Sequence, residues 1–324
     1  MMPSDEKILL FLAPMAGATN TVFRQMCRDY GADVLTSEMV SAEGLQHLNE
    51  RSQHYVEFAE SERPFGIQLF GGSAERLAEA ARFVAERVKP DFIDLNFGCP
   101  VRKVVAKNGG SGILRDARLL ERVARAVVEA AAPLPVTAKI RTGWDCVNAT
   151  ENARILENCG IARLTVHGRT REQGYAGEAN WNVIADVVRA VKIPVVGNGD
   201  IRSGADALRV VDIAEGVAGI MIGRGALSGP WIFSEVRAVL DGKPYTPPSW
   251  DERVAVILTH CEREVAWGKN ERLAIHSLRA RLMSYTHGMP SAAKMRVALA
   301  RVESVEDVRF VLTQNLQPRI EGLP

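Results

Sequence analysis

One alternation constrains this chain more than any other feature. Short apolar runs rich in β-branched residues recur, each ending in glycine or polar residues: LLFLAPMAG, ADVLTSEM, FGIQLFGG, DFIDLNFGCP, VTAKIRTG, RLTVHGRT, PVVGNGD and GIMIGRG. Between most of them lie stretches such as AERLAEAARFVAERV and ARLLERVARAVVEAAA. The apolar spacing of those stretches suits an amphipathic helix. The runs themselves are nearly continuous in apolar residues, as parallel strands covered on both faces are. Eight strand–helix units predict an α/β fold, a (β/α)8 TIM barrel, which typically takes about 250 residues. A doubly wound sheet is the competing arrangement. It would carry a Gly-rich first turn, and APMAGATN has one glycine.

After Gly229 the pattern changes. PWIFSEVRAVLDGKPYTPPSW runs from a helix into a proline-rich linker, and from Asp251 only helical periodicity remains. Gly268 and Gly288 stand where C-caps are expected, and Ser304 where an N-cap is expected. The division expected is a barrel domain over 1–245 and a small C-terminal helical domain over 246–324.

Composition narrows the setting. Of 324 residues 47% are hydrophobic and 24% charged, the balance of a soluble globular protein. The net charge of +1 means that any affinity for nucleic acid must come from local clustering. No apolar run is long enough to span a bilayer, and the opening MMPSDEK lacks the core of an export signal. Cys27, Cys99, Cys146, Cys159 and Cys261 are scattered, with no C-x-x-C pair, and no histidines stand four apart. Neither a disulfide framework nor a metal site is expected. A reducing cytoplasm is the expected compartment, with no membrane partner and a monomeric chain.

In such a barrel the chemistry lies at the C-terminal ends of the strands. Standing there are Met15, Ser37, Glu38, Gln68, Asn96, Cys99, Lys139, Arg141, His167, Arg169, Asn198, Asp200, Gly223 and Arg224. Polar residues at strand ends often do no more than meet solvent. Lys139 and Arg141 are harder to dismiss. Alternation puts both on one face of VTAKIRTG, and cations in a barrel mouth need an anionic partner. VVGNGDI and IMIGRGAL end the seventh and eighth strands, whose loops hold phosphate in many barrels. Gly199, Gly223 and Gly225 leave room for close backbone approach there, although a plain turn would read the same. APMAG offers a small apolar turn against which a flat ring can lie, with Gln68 and Asn96 facing the ring edge. Together these features suit a phosphorylated flat cofactor, and flavin mononucleotide (FMN) fits best.

The motifs APMAG, SEM, DLNFGCP, KIRTGW, LTVHGRT, NGDI and IGRGALSGPWIF, in this order, resemble those of the bacterial tRNA-dihydrouridine synthases, and within them the branch called DusB. The resemblance implies an FMN-dependent enzyme that reduces the C5–C6 bond of a D-loop uridine in tRNA, with NADPH as electron donor. It implies hydride from flavin N5 to C6 and a proton from Cys99 to C5. It places Pro14, Met15 and Ala16 beside the ring, Gln68 at its edge and Lys139 on the cofactor. His167 falls near the phosphate, with Asn198, Gly199, Asp200, Gly223 and Arg224 on the ribityl and phosphate side. One departure is Asn20, where the family often has Asp.

A free cysteine is most often a small buried hydrophobe. Cys99 differs in standing between Gly98 and Pro100 where a strand ends, and a thiol of ordinary pKa near 8.5 is protonated at neutral pH and able to act as an acid. Cys27 and Cys159 read as helix packing. The helical tail reads as the RNA clamp. From Gly268 to Arg301 it holds Lys269, Arg272, Arg279, Arg281, Lys294, Arg296 and Arg301 against Glu271 alone. Arg141, Arg272, Arg279, Lys294 and Arg296 are the expected tRNA contacts, with His276, Tyr285 and His287 as stacking candidates. Rival readings are an FMN barrel acting on a small molecule such as dihydroorotate, a Schiff-base aldolase using Lys139, and a non-catalytic RNA-binding protein.

Overall fold

The computed structural model describes residues 7–46, 55–268 and 270–316. Its strands are β1 (Leu9–Leu12), β2 (Leu35–Thr36), β3 (Val40–Ser41), β4 (Phe65–Phe70), β5 (Phe92–Phe97), β6 (Val136–Arg141), β7 (Arg163–His167), β8 (Val195–Asn198) and β9 (Gly219–Ile222). They pair in the order β1-β9-β8-β7-β6-β5-β4-β2, with β3 also on β4 and every pair parallel. A bridge from Phe11 to Val34 brings the two ends of the sheet together. The result is the nearly closed barrel of eight parallel strands that the alternation predicts.

The second barrel strand comes in two pieces, β2 and β3, where ADVLTSEM predicts one run. Side chains account for the break. The Ser37 hydroxyl donates to the Glu38 carbonyl (2.7 Å) and accepts the Gln68 N–H (2.9 Å). The Glu38 carboxylate turns to accept the Gly17 and Thr19 N–H groups (2.9 and 3.2 Å). Local bonds of this kind compete with a strand ladder.

Helices Ala74–Phe83, Ala117–Ala131, Ala149–Asn158, Trp181–Ala190, Gly204–Ile213 and Ile232–Leu240 follow strands β4 to β9 in turn. Ser73, Asp116, Asn180 and Ser203 cap four of them by accepting first-turn N–H groups. Gly66 and Gly197 on the wall make space for aromatic rings. A Cβ at either would lie 2.1 Å from the ring of Phe92 or Trp181.

The N-terminal end of the barrel is plugged. Arg163 lies over the rings of Phe11 (4.9 Å) and Phe92 (4.6 Å) beside Val34, Val196 and Met221. Above the plug, Thr137 donates to Asp94 (2.6 Å), Gln68 donates to Asp94 (2.7 Å), and Asn96 donates to Gln68 (2.8 Å). This ladder crosses β6, β5 and β4 and climbs toward the open end. Burial raises the pKa of Asp94, against the Thr137 and Gln68 hydrogen bonds and the charges of Arg163 and Lys139.

Beyond the barrel run helices Trp250–Gly268, Glu271–Tyr285, Ala292–Leu299 and Val305–Leu316. Ser304 caps the last by accepting the Asp307 N–H (3.1 Å). Gly288 adopts φ +80° just past the second, and Gly268 is the last residue of the first. The tail is tied to the β1 loop and the helix that follows it. Arg281 donates to the Ala18 carbonyl (2.9 Å), Asn20 donates to Glu264 (2.6 Å), and His260 stacks on Phe23 at 5.8 Å. Among the described residues no helix is long and apolar enough to cross a membrane.

Candidate active site

A cleft of about 500 Å³ opens at the C-terminal ends of the strands, a size usual for a cofactor site. All twelve positions expected to face the cofactor, from Pro14 to Arg224, border it, and so do Cys99 and Arg141. Parallel register explains the gathering. It sets Asn96 beside Lys139, Arg141 beside His167, and His167 beside Asn198.

Lys139 and Arg141 do share a face, and they differ in their engagements. The Lys139 ammonium donates to the Asn198 Oδ1 (2.8 Å), while Asn198 Nδ2 donates to the Met221 carbonyl (2.7 Å). Burial, and then the charge of Arg141, push the Lys139 pKa down to about 7, with Asp94 pulling the other way. An anion arriving beside it restores the proton. Arg141 is spent on the scaffold. It donates to the carbonyls of Gly98 (2.8 Å), Thr170 (2.9 Å) and Gly174 (2.8 Å), so it braces the loops on either side of it.

Cys99 stands on a pinned loop. Its N–H and that of Gly98 donate to Asn96 Oδ1 (2.9 and 3.1 Å). Its carbonyl accepts both the N–H (3.0 Å) and the hydroxyl (2.9 Å) of Ser111. Burial pushes the Cys99 thiol above its ordinary pKa, against smaller pulls from the Val101 N–H and the Arg141 charge. The thiol is therefore protonated at neutral pH. Asn96 and Gln68 border the cleft, yet their amides are already joined to each other and to Cys99 and Asp94. The other cysteines are free as well. Cys27, Cys159 and Cys261 are buried, as helix packing predicts for the first two, and Cys146 is exposed.

At the far side Asp200 gathers cations. Its Oδ2 accepts from Arg169 (2.7 Å) and the Ala179 N–H (2.8 Å), and its Oδ1 lies 3.3 Å from Arg224. Burial works to raise its pKa, but the Arg169 bond and the Ala179 N–H hold it low. So Asp200 clasps the loop after β7 and orients Arg224. His167 is buried beside Arg169, whose Nη1 lies 3.5 Å from Nε2. Arginine has only donors, so Nε2 accepts and the proton sits on Nδ1. Burial, and then the charges of Lys139, Arg141, Arg169 and Arg224, push its pKa far down, so the ring is neutral.

The glycines divide. A Cβ at Gly199 would lie 2.5 Å from Ala179, and one at Gly225 2.3 Å from the Ile201 carbonyl, so both are required by packing. At Gly223 it would meet only Ala13 at 3.5 Å and Met15 at 3.8 Å, ordinary contacts, so packing does not demand a glycine there.

Among the lining residues that escaped the sequence reading are Met39, Met221 and Tyr175. Met39 lies 3.7 Å from Asn96 Nδ2 through its sulfur, and Met221 receives Asn198. Tyr175 is 60% exposed with Arg224 over its ring at 4.6 Å and Arg141 at 5.7 Å. It sits in REQGYAGEAN, a polar loop without periodicity, where only an isolated aromatic signals it.

The tail differs from the expected stripe. Arg272 pairs with Glu303 (3.0 Å), Arg279 donates twice to the Val302 carbonyl (3.0 and 2.8 Å), and Arg281 is used at Ala18. Lys294 and Arg301 are exposed and Arg296 half-buried; Lys269 lies outside the described residues. Tyr285 is fully buried with its hydroxyl 2.9 Å from His260 Nδ1, so it is a core residue and not a stacking platform. His276 and His287 are exposed. Among the described residues no three His, Cys, Asp or Glu side chains cluster as a metal site would need.

The family model described as dihydrouridine synthase matches residues 11–321. The chain belongs to that family. Its membership makes it an oxidoreductase, and it bears out the resemblance carried by the motifs. This dihydrouridine synthase is 39% identical over 320 residues to tRNA-dihydrouridine synthase B of Xanthomonas axonopodis pv. citri (strain 306), covering 97% of this chain and 95% of that protein. It is 40% identical over 301 residues to tRNA-dihydrouridine synthase B of Pseudomonas syringae pv. tomato, covering 92% and 88%. Among solved structures it resembles "Crystal structure of TcOYE with pHBA" with a TM-score of 0.53 at 11% identity, over 75% of this chain and 91% of that one. At that identity the likeness is one of barrel fold alone.

Proposed function

We propose that this dihydrouridine synthase reduces the C5–C6 bond of a D-loop uridine in tRNA, with FMN in the cleft, NADPH as electron donor and Cys99 as the acid. The observation that carries this reading is a protonated thiol on a pinned loop, bordering the same cleft as a half-buried lysine poised for an anion. The donor set fits FMN. Lys139 and Arg224 supply positive charge, and the one carboxylate among them, Asp200, is engaged by arginine. The relatives named above are called tRNA-dihydrouridine synthases, which supports the substrate.

When bound, the flavin would supply the hydride that enters the uracil at C6. The chain does the rest. Lys139, its ammonium fixed by Asn198, would hold charge beside the cofactor. Pro14 to Ala16 would give it an apolar bed. Asn96, Ser111 and Arg141 hold the Cys99 loop, and the Cys99 Sγ–H gives its proton to C5 of the uracil. Hydride at C6 and proton at C5 saturate the bond, and the thiolate recovers its proton from water. The uridine must leave its stack to reach the cleft.

The test is NADPH oxidation by the flavin-loaded protein with unmodified tRNA against small enones. The reading expects turnover with tRNA. Turnover confined to enones overturns it.

A further inference from the structure

We propose that a second pocket, beside the cleft, takes the base next to the reacting uridine through its exocyclic amino group, with Glu264 as acceptor. This rests on the reading that the substrate is tRNA. The pocket, of about 450 Å³, lies between the β1 loop and the tail helices and shares Ala18 and Leu227 with the cleft. A uridine turned into the cleft leaves its neighbours at this shared rim.

The pocket's polar groups are mostly committed. Both oxygens of Glu38 accept N–H groups, from Gly17 and Thr19. Asn20 caps its helix by accepting the Phe23 N–H (3.1 Å) and donates to Glu264 Oε1 (2.6 Å). Arg281 donates to the Ala18 carbonyl through Nη2 and lies over Phe23, while its Nη1 is buried with no acceptor. Glu264 is the one carboxylate of the pocket left in the same condition. It is 5% exposed, it lines the pocket, and its Oε2 is buried with no donor. A buried acceptor of this kind calls for a partner. Two carboxylates against one guanidinium repel a phosphate, so the match is a base edge and not the backbone.

The test uses flavin-loaded protein and tRNA transcripts in which each neighbour of the reduced uridine is guanosine or inosine, which lacks the amino group. Wild type and Glu264→Gln are compared by kcat and KM for dihydrouridine formation. In Glu264→Gln the amide oxygen stays with Asn20, so its NH2 faces the pocket and an acceptor becomes a donor. At one neighbour, removing the amino group is expected to raise the wild-type KM about tenfold, the scale of a hydrogen bond to a charged group. In Glu264→Gln the same removal is expected to cost less than twofold. RNA folding cancels, because both proteins meet the same transcripts. Flavin content and melting temperature report whether the variant folds, and the wild-type series stands if it does not. A wild-type KM indifferent to the amino group at both neighbours overturns the proposal, as does an equal penalty in the folded variant; either result points to a structural water on Oε2. Wild type that reduces no uridine in any transcript defeats the tRNA reading itself.

Discussion

The barrel mouth and the helical tail both carry cations, and they use them differently. In the mouth, Lys139 is half-buried on an amide oxygen and Arg141 is buried on three carbonyls. Desolvation brings Lys139 close to neutrality at pH 7. In the tail, Lys294 and Arg301 are exposed, and Arg272 forms a solvated ion pair. A buried, fixed cation reads one ligand atom and resists salt. An exposed one feels only a field, which salt screens. Recognition of a cofactor and attraction of a polyanion therefore call for opposite placements of the same residue types.

The largest expected effect lies in the mouth. Cys99→Ala is expected to lower kcat by about 10²- to 10⁴-fold, the usual worth of a positioned acid, with little change in the KM for tRNA. Steady-state kinetics check the split; a rise in KM with kcat intact would make Cys99 a binding residue. Next comes Lys139→Met, expected to lose most bound FMN, read as flavin absorbance per protein. Its pH signature follows from linkage. Below pH 7 Lys139 is already charged, and above it the anion must recruit a proton. FMN affinity in the wild type is thus expected to weaken by up to about tenfold per pH unit above 7, and Lys139→Met is expected to lose that dependence.

In the tail the effects are smaller and depend on salt. Changing Lys294, Arg296 and Arg301 together to alanine is expected to weaken tRNA binding and leave flavin content intact. It is expected to flatten the slope of log affinity against log salt by about 0.7–0.9 for each phosphate that the variant no longer neutralises. An unchanged slope would remove these residues from the RNA surface. The smallest effect sits where the two regions meet. Asn20→Asp would set a carboxylate against Glu264, whose pKa burial already raises. The expected cost is about 1–3 kcal/mol by urea unfolding at neutral pH. It should shrink as pH falls, because the folded pair binds a proton that the unfolded chain releases.

Asn20 also shows what the sequence carries and what it hides. Asn20 caps the helix that opens with TVFRQM, a role the sequence reading did not assign to it. Its second role, donating to Glu264, joins residues 244 apart and leaves no local trace. The barrel was legible because each strand's periodicity is local, and Lys139 with Arg141 because alternation fixes a shared face. Arg272, Arg279 and Arg281 looked like a stripe because their partners, Glu303 and the carbonyls of Val302 and Ala18, lie on other turns of chain. Tyr285 looked available for the same reason until His260 packed against it. Composition reveals charge, while only the fold reveals which charges are already spent.

The most direct test is mass spectrometry of unmodified tRNA after incubation with the flavin-loaded protein and NADPH. The account predicts that one uridine gains two hydrogens, in step with NADPH consumed. Consumption of NADPH with every uridine left at its original mass would contradict it.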